Sequence, residues 1–566
     1  MMLNALIRFS LTQRLFVLLL VVLAAGLGTR AFLNLPIDAF PDVSTTQVKI
    51  IIKAPGMTPE EVEQRITAPV EVEMLGIPDQ TMLRSMTKYG LTDITIDFAE
   101  GTDIYWARQQ VSERLAAVWG SLPPDVSGGM APITTPLGEM FMFTIEGGDL
   151  SLAERRSLLD WVIRPALRAV PGVAEVNSLG GFVRTFEVTP DVERMNARGV
   201  TFEQLSTVLA SNNRNDGAGL IQDGEEALLV RVEGSVLNLD DLRATVVAMT
   251  PDGAPIHVQD VAEARIGSLT RYGAVTKNGE KEVVQGLVLG LRGANARELV
   301  AGVEDRLDEL AASLPAGVSV EVFYNRGHLV ERAVGTVTKA LGEAIILVLI
   351  LLVVFLANLR AAITVALILP LAALVTFILM DLIGMSANLM SLGGLAIAIG
   401  MLVDAAVVVV ENIVARLAEE KTPPRQPRLH VIYRAVREVA TPVTAGILII
   451  VIVFLPLLTL EGLEGKLFKP VAITIVFALG GSLLLSLTAI PVLSSYLLRN
   501  VPHGDPWLVR QLHKVYTPSL AWSLRHPLIV GAAALLALVA TAAAYTQIGK
   551  AFMPTLNEGD LVLQLE

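Results

Sequence analysis

The chain has 566 residues, 52% hydrophobic and 18% charged, with a mean hydropathy of +0.57; this balance excludes an ordinary soluble globular protein and requires a lipid-embedded portion. The formal net charge of −12 says little about lipid partners, and no nucleic-acid partner is expected. With no cysteine, neither a disulfide framework nor a thiolate metal site is possible.

The apolar residues gather in runs of about 20, the length that crosses a hydrocarbon core of about 30 Å at about 1.5 Å per residue. The first is Arg14 to Leu35, and the others lie near residues 338–358, 361–384, 389–412, 440–460, 470–498 and 527–546. The first run, preceded by Arg8 and Arg14, has the short apolar core of a cleaved signal peptide. Apolar residues resume past Arg30 at Ala31, Phe32 and Leu33, which favours a retained anchor. Arg416, Lys421, Arg425, Arg428, Arg434 and Arg437 follow the fourth run, and Arg499, Arg510, Lys514 and Arg525 follow the sixth. The positive-inside rule sets both loops and the N-terminus in the cytoplasm and the long soluble segment on the other side.

That soluble segment, about residues 36 to 335, opens with a strand (Val48 to Ile52) and a helix (Thr58 to Met74). Thr58-Pro59-Glu60-Glu61 supplies a cap, a first-turn proline and acidic residues at the positive dipole end. Strands at Thr81 to Met86 and Thr92 to Phe98 and a helix at Asp103 to Val118 complete the split βαβ order of ferredoxin-like modules. A second pass comprises a strand at Met140 to Glu146, a helix at Leu152 to Val170 and strands around Ala174 to Leu179 and Thr185 to Val188; a third starts near Val283 to Leu291. The fold class is therefore a multi-pass α-helical membrane protein with a large α+β soluble domain of ferredoxin-like βαβ modules, the alternative being one irregular domain.

In the fourth run stand Asp404 and Glu411, seven residues apart and so on one helical face about 10 Å apart. A carboxylate inside a bilayer costs at least a few kcal/mol, about 3 by insertion scales, so it must face a cavity or a partner helix. Desolvation would raise such a carboxyl towards neutrality, suiting a group that loads and releases a proton. Asp404 reads as a proton relay, the alternative being a structural, hydrogen-bonded polar residue, while Glu411, nearer the cytoplasmic end, equally suits a relay or a group that simply reaches water. Gly393, Gly394, Gly400, Ala396, Ala398, Ala405 and Ala406 make the same helix small-sided for close packing.

Ala39-Phe40-Pro41-Asp42 with the strand after it is echoed by Ala551-Phe552-Met553-Pro554 and the alternation Leu561 to Leu565, past the seventh run. A second copy of the plan is expected to begin there, and the chain is expected to be truncated. Gly462-Leu-Glu-Gly465-Lys466 lacks the spacing and the Ser or Thr of a nucleotide loop, and no nucleophile, base and oxyanion arrangement can be placed, so neither an ATP-driven pump nor an enzyme is expected.

The stretch Asn388-Leu-Met-Ser-Leu-Gly-Gly-Leu-Ala-Ile-Ala-Ile-Gly-Met-Leu-Val-Asp404-Ala-Ala-Val-Val-Val-Val-Glu411-Asn412 closely resembles the fourth transmembrane helix of heavy-metal efflux pumps of the resistance-nodulation-division (RND) superfamily, CzcA/CusA type. Leu35-Pro-Ile-Asp-Ala-Phe-Pro-Asp42, Gly101-Thr-Asp103, and Val170-Pro-Gly-Val-Ala-Glu-Val-Asn177 with Gly180-Gly181 agree, along the whole chain. The resemblance implies a homotrimer in the bacterial inner membrane working with a periplasmic adaptor protein and an outer-membrane channel. It implies no cofactor: the metal cation is cargo and protons are the coupling ion. On that plan residues 1–38 are the N-terminus and first helix, 39–135 a first periplasmic porter module, and 136–335 a second with a docking-type insertion. Residues 336–500 carry helices two to six, 501–526 a cytoplasmic connector, 527–550 helix seven, and 551–566 the truncated start of a second periplasmic loop.

The resemblance leaves the metal open. The zinc, cobalt and cadmium branch has a further aspartate where this chain has Ala398; of the copper and silver branch's methionines, Met390 matches one while Leu402, Val409 and Thr270 stand at others. Glu139 sits where divalent-metal pumps place a ligand carboxylate, and Glu175 lies near a second such position, although either carboxylate reads first as a solvated surface residue. Soft Cu(I) or Ag(I) would take thioether sulfur, whereas Zn(II), Co(II) or Ni(II) would accept carboxylate and imidazole. Met140 and Met142, with Met130 nearby, and Met82 with Met86 read first as packing residues. Only His257 and His328 lie in the soluble segment. The implied mechanism is alternating access, with Asp404 loading a proton from the periplasmic side; the alternatives are an RND exporter of drugs or lipids and a truncated non-transporting fragment.

Overall fold

The computed structural model describes residues 2–38, 41–135, 137–271, 273–356, 358–419, 427–498 and 507–549. The echo at 551–566 therefore lies outside the described residues, as do Lys421, Arg425 and Arg499 of the basic loops. Two compact units are present: one holds the described residues up to Leu137, Arg292–Glu298 and those from Arg326 onward, and the other holds Gly138–Leu291 and Leu299–Asn325.

The first unit opens with helices α1 (Met2–Thr12) and α2 (Arg14–Asn34), followed by an αβ layer of β1 (Thr46–Lys53), β2 (Gln80–Lys88), β3 (Leu91–Phe98), α3 (Ile104–Trp119) and β4 (Ser127–Met130). In β1, Val48, Ile50 and Ile52 are buried while Lys49 and Lys53 are exposed, the period-two pattern of a strand with one covered face. The sheet order is β2-β3-β1-β4, every pair antiparallel. Onto it pack Val62, Ile66, Val70 and Met74 of the first crossover helix and Ala107, Val111 and Leu115 of α3. Each fully buried Val, Ile or Met among them contributes about 1.5–3 kcal/mol. Gly128 is obligatory in β4: at φ +133°, a Cβ there would lie 2.1 Å from the Ile51 carbonyl oxygen.

The first crossover helix starts with a reciprocal cap, Thr58 N–H donating to Glu61 Oε2 at 2.9 Å and Glu61 N–H to Thr58 Oγ1 at 3.4 Å. Its middle turn, Glu63–Thr67, is a π-helix lying just before Pro69. Proline has no N–H and its ring collides with the carbonyl four residues back, here Arg65, so widening the turn accommodates it without breaking the helix.

The second unit repeats this plan. Its sheet is built from β5 (Glu139–Gly147), β6 (Val173–Leu179), β7 (Gln285–Gly290) and, after α4 (Ala296–Ala311), β8 (Val318–Asn325), in the order β8-β5-β7-β6 with antiparallel pairs. Its first crossover helix also begins with a capping box, Ser151 with Glu154, and also widens into a π turn, Leu159–Ile163, ahead of Pro165. Residues 184–283 are inserted between the second and third strands of this sheet. They contain a ladder of Arg184–Pro190 with Ala262–Ser268, a hairpin of Asp216–Asp223 with Glu226–Val232, and a small core including Met195, Leu205, Ile256 and Val261.

Two sequence expectations change here. The strand at Thr185 to Val188 pairs inside the insertion rather than with the second sheet, and the segment at Val283 to Leu291 begins no third module but supplies the second sheet's third strand. Alternation identifies a strand, whereas its neighbours are chosen by contacts far along the chain.

Back in the first unit follow α5 (Arg326–Leu356), α6 (Leu359–Leu382), α7 (Leu389–Glu419), α8 (Arg428–Leu458), α9 (Gly462–Leu497), α10 (Trp507–Arg525) and α11 (Pro527–Tyr545). Among the described residues seven helices, α2, α5 to α9 and α11, are long and apolar enough to cross a membrane. Several outrun their apolar stretches: α5 starts at Arg326 and α8 at Arg428, about a dozen residues before the hydrophobic runs. A helix bonds its own backbone, so it continues past the hydrocarbon edge without penalty.

The link from α2 to β1 is pinned to these helices. Asp38 N–H donates to the Ala387 carbonyl at 3.2 Å and Ala387 N–H to that of Pro36 at 2.9 Å. Arg326, 4% exposed at the start of α5, pairs with Asp38 at 2.8 Å and donates to the Leu137 carbonyl at 2.8 Å. Lys466, at the start of α9, donates to the Ser44 carbonyl at 2.6 Å, while Arg292 pairs with Asp42 at 2.7 Å.

Candidate functional site

Helix α7 is rotationally fixed by polar and steric contacts along its length. At its start Asn388 and Ser391 bond reciprocally, each backbone N–H reaching the other's side-chain oxygen at 2.9 Å. Gly394 rests on α9 so closely that a Cβ would lie 2.8 Å from the Val471 carbonyl oxygen. Ser482 of α9 donates its hydroxyl to the Leu402 carbonyl at 3.2 Å, and Asn412 donates to the Ala435 carbonyl of α8 at 2.7 Å. Of the small residues read from the sequence, Gly394, Ala398, Ala405 and Ala406 are buried, whereas a Cβ at Gly393 or Gly400 would meet nothing within 4 Å.

This setting buries Leu395, Leu402 and Val409 and leaves an accessible stripe of Ile397, Gly400, Asp404, Val408 and Glu411. Asp404 and Glu411 thus share one face, about 10 Å apart along the axis. Beyond Glu411 the helix ends in an ion-pair network: Glu438 accepts from Arg416 at 3.0 Å and from Asn412 at 3.3 Å, and Arg416 also pairs with Glu419 at 2.8 Å. Sequence reading missed Ser482, whose signal was a small hydroxyl beside Gly480 and Gly481 in an apolar helix, a residue type that bonds across membrane helices.

Met390 is half-buried in the first turn of α7, 14 residues from Asp404 and so roughly 21 Å along the axis. Glu139 and Glu175 lie in the second unit, where both register with Leu289 of β7 from opposite sides. Their backbones are therefore two strand spacings apart, about 10 Å. Glu175 is already engaged, accepting from Arg164 at 3.1 Å and lying 3.5 Å from Arg168. Among the described residues no group of three or more His, Asp or Glu side chains is arranged to hold a metal ion. Met140 and Met142 are buried in the second sheet, whereas Met82 and Met86 are exposed on β2.

A second charged cluster lies in the same unit, centred on the buried Glu146 with Lys281 and Glu321 at its exposed rim. Glu146 accepts from Lys281 at 2.6 Å, Lys277 at 3.1 Å and Thr144 at 3.1 Å, and Lys277 also pairs with Glu321 at 2.7 Å. Burial pushes the Glu146 carboxyl up, but the hydrogen bonds from Lys281, Lys277 and Thr144 outweigh it and hold it below the usual range. The cluster fastens the hairpin of Val275–Lys277 and Lys281–Val283 to β5 and β8.

Among the described residues, seven helices long and apolar enough to cross a membrane, with two four-stranded sheets built from the segment after the first of them, give the architecture of a multi-pass membrane protein. Residues 6–566 match the AcrB/AcrD/AcrF family, and the chain belongs to that family of RND transporters. Its resemblance to the heavy-metal branch holds along the whole chain. The cation efflux system protein CzcA of Alcaligenes sp. (strain CT14) is 40% identical over 578 residues, spanning 100% of this chain and 54% of that protein. The cation efflux system protein CusA of Escherichia coli (strain K12) is 37% identical over 571 residues, spanning 99% and 54%. The crystal structure of a heavy metal efflux pump superposes with a TM-score of 0.82 at 32% identity, covering 95% of this chain and 52% of that one. The chain thus spans about half the length of the curated relatives it matches.

Proposed function

We propose that this chain is the N-terminal half of an inner-membrane pump subunit that exports heavy-metal cations in exchange for protons, with Asp404 carrying the coupling proton. The observation behind this reading is Asp404's position on the accessible stripe of α7, within its apolar stretch. A charged carboxylate facing lipid costs about 3 kcal/mol or more, so the stripe is covered by further membrane segments of the full-length subunit, and the charge on Asp404 decides how they pack. Inward movement of one proton across about 100 mV supplies about 2.3 kcal/mol.

The contacts of the first unit give that step a route. Protonation removes the charge on α7, and α7 shifts against the segments that cover it. Gly394 against Val471 and Ser482 on Leu402 make α9 follow. Lys466 at the start of α9 then pulls on the Ser44 carbonyl, two residues before β1. Glu411, near the polar end of the same stripe, exchanges the proton with the cytoplasm.

The strand orders, with the third strand set between the first two in each sheet, support ferredoxin-like porter modules, the insertion being of docking type. Glu139 and Glu175 of the second unit and Met390 of α7 are the proposed metal contacts. The resemblance supports a cytoplasmic N-terminus, periplasmic modules, a homotrimer, a periplasmic adaptor and an outer-membrane channel. The test is metal content in cells whose full-length subunit carries Asp404→Asn at unchanged abundance. Retention of one metal ion in the mutant, matching cells without the pump, supports the reading; wild-type export by the mutant removes Asp404 from it.

A further inference from the structure

Two cations converge on one backbone oxygen beside the start of α9. Lys466 Nζ donates to the Ser44 carbonyl at 2.6 Å and Arg292 Nη2 donates to the same oxygen at 3.4 Å, so the two positive groups stand within about 6 Å of each other and repel. Asp42 pairs with Arg292 at 2.7 Å, whereas half-buried Lys466 has no ion-pair partner among the described residues. The two charges are thus met by one carboxylate at contact distance, which leaves a place for a further anion.

Both cations line a cavity of about 660 Å³ within the first unit, formed by the link that precedes β1, the loop from β3 to α3 and the start of α9. Phe98 and Leu463 supply apolar wall, and Glu100 and Asp103 line the same space. Asp103 is engaged in capping α3, accepting from the Trp106 N–H at 2.8 Å, while Glu100 is exposed and has no ion-pair partner among the described residues. Lys466 and Glu100 therefore share one cavity without pairing, and a separated ammonium and carboxylate are the complement of a zwitterion. The apolar run of α9 begins at residue 470, so Lys466 stands roughly 6 Å outside the hydrocarbon edge, at headgroup height.

We propose that this cavity binds the headgroup of an aminophospholipid, Lys466 and Arg292 holding the phosphodiester and Glu100 accepting from the primary ammonium. A lipid fits better than a soluble phosphate ester because the cavity stands at headgroup height and Phe98 and Leu463 offer apolar wall to the glycerol and first acyl carbons. A headgroup seated there bridges α9 to the loop that starts α3. The inference uses the membrane placement of α9 and stands apart from metal and proton coupling.

The test is native mass spectrometry of the delipidated chain titrated with phosphatidylethanolamine, phosphatidylcholine or phosphatidylglycerol of matched acyl chains. Phosphatidylethanolamine should saturate one site at about tenfold lower concentration than the other two, because phosphatidylcholine has no N–H for Glu100 and phosphatidylglycerol has no cation. Lys466→Gln should weaken that binding about tenfold, and Glu100→Gln should bring phosphatidylethanolamine to the level of phosphatidylcholine. Lys469→Gln, which removes a cation of the same helix that lies outside the cavity lining, should change nothing. The wild-type lipid comparison and Glu100→Gln, at an exposed position, decide the matter even if Lys466→Gln fails to fold. Equal affinity for the three lipids, or equal weakening by Lys466→Gln and Lys469→Gln, overturns the proposal. So does competition by free O-phosphorylethanolamine at the lipid's own concentration, which would give the cavity to soluble phosphate esters.

Discussion

The hydroxyl of Ser482 donates to the carbonyl of Leu402 at 3.2 Å, two residues before Asp404, so the carboxylate's helix is bonded to its largest neighbour one half-turn away from the charge. With Gly394 resting on Val471 two turns earlier, this contact sets which side of α7 is buried and therefore where Asp404 points.

Adding one methyl group to α7 should separate the two roles of its glycines. Gly394→Ala forces a Cβ to 2.8 Å from the Val471 carbonyl, and overpacking of that kind costs about 1–3 kcal/mol. Gly400→Ala meets open space on the accessible stripe and should be neutral to slightly stabilising for the chain alone. Thermal unfolding of the detergent-solubilised chain, followed by retention of the monodisperse peak, checks both; equal behaviour would mean that α7 does not pack on α9 through Gly394.

Acid should loosen the hairpin around Lys277 before it unfolds the second sheet. Glu146 is held below its unfolded value, so its contribution is complete above the ordinary carboxylate pKa, about 4.3, and is lost as pH falls through the folded value. Amide exchange across residues 275–283 should accelerate in that window. Glu146→Gln should accelerate it at neutral pH, by about 1.5–3 kcal/mol in opening free energy, and should abolish its acid dependence. Exchange that ignores the substitution would show that the hairpin is held by other contacts.

Glu175 offers a test of the proposed metal contacts that does not depend on transport. Arg164 and Arg168 engage its carboxylate, so Arg164→Ala should release it and strengthen divalent-metal binding, whereas Glu139→Gln and Glu175→Gln should weaken it about tenfold or more. Calorimetric titration of the purified chain with zinc reads all three. Unchanged affinity in both carboxylate variants would move the metal site elsewhere.

Much of the architecture was legible because it is written in short-range patterns. The alternation of Val48, Ile50 and Ile52, the cap at Thr58 and the seven apolar runs each predict an element that the fold contains. The partners of those elements were not legible. Thr185 to Val188 reads as a strand whether it joins the second sheet or the insertion, and only contacts with Ala262–Ser268 assign it. The site divides in the same way. A carboxylate among 20 apolar residues betrays Asp404 from composition alone, but its place on an accessible stripe follows from the rotation of α7, which Val471 and Ser482 set from another helix. The hold of Arg164 on Glu175 was likewise invisible, since it links a helix to a strand 11 residues away.

Coupling of a proton to metal export through Asp404, as proposed, is read most directly as proton movement in proteoliposomes containing the full-length subunit with a pH-sensitive dye inside. Imposing a proton gradient with metal present should drive metal uptake or release together with proton flux in the wild type, and Asp404→Asn should abolish both. Metal flux that persists in Asp404→Asn, or that is unaffected by collapsing the gradient, would remove Asp404 from proton coupling.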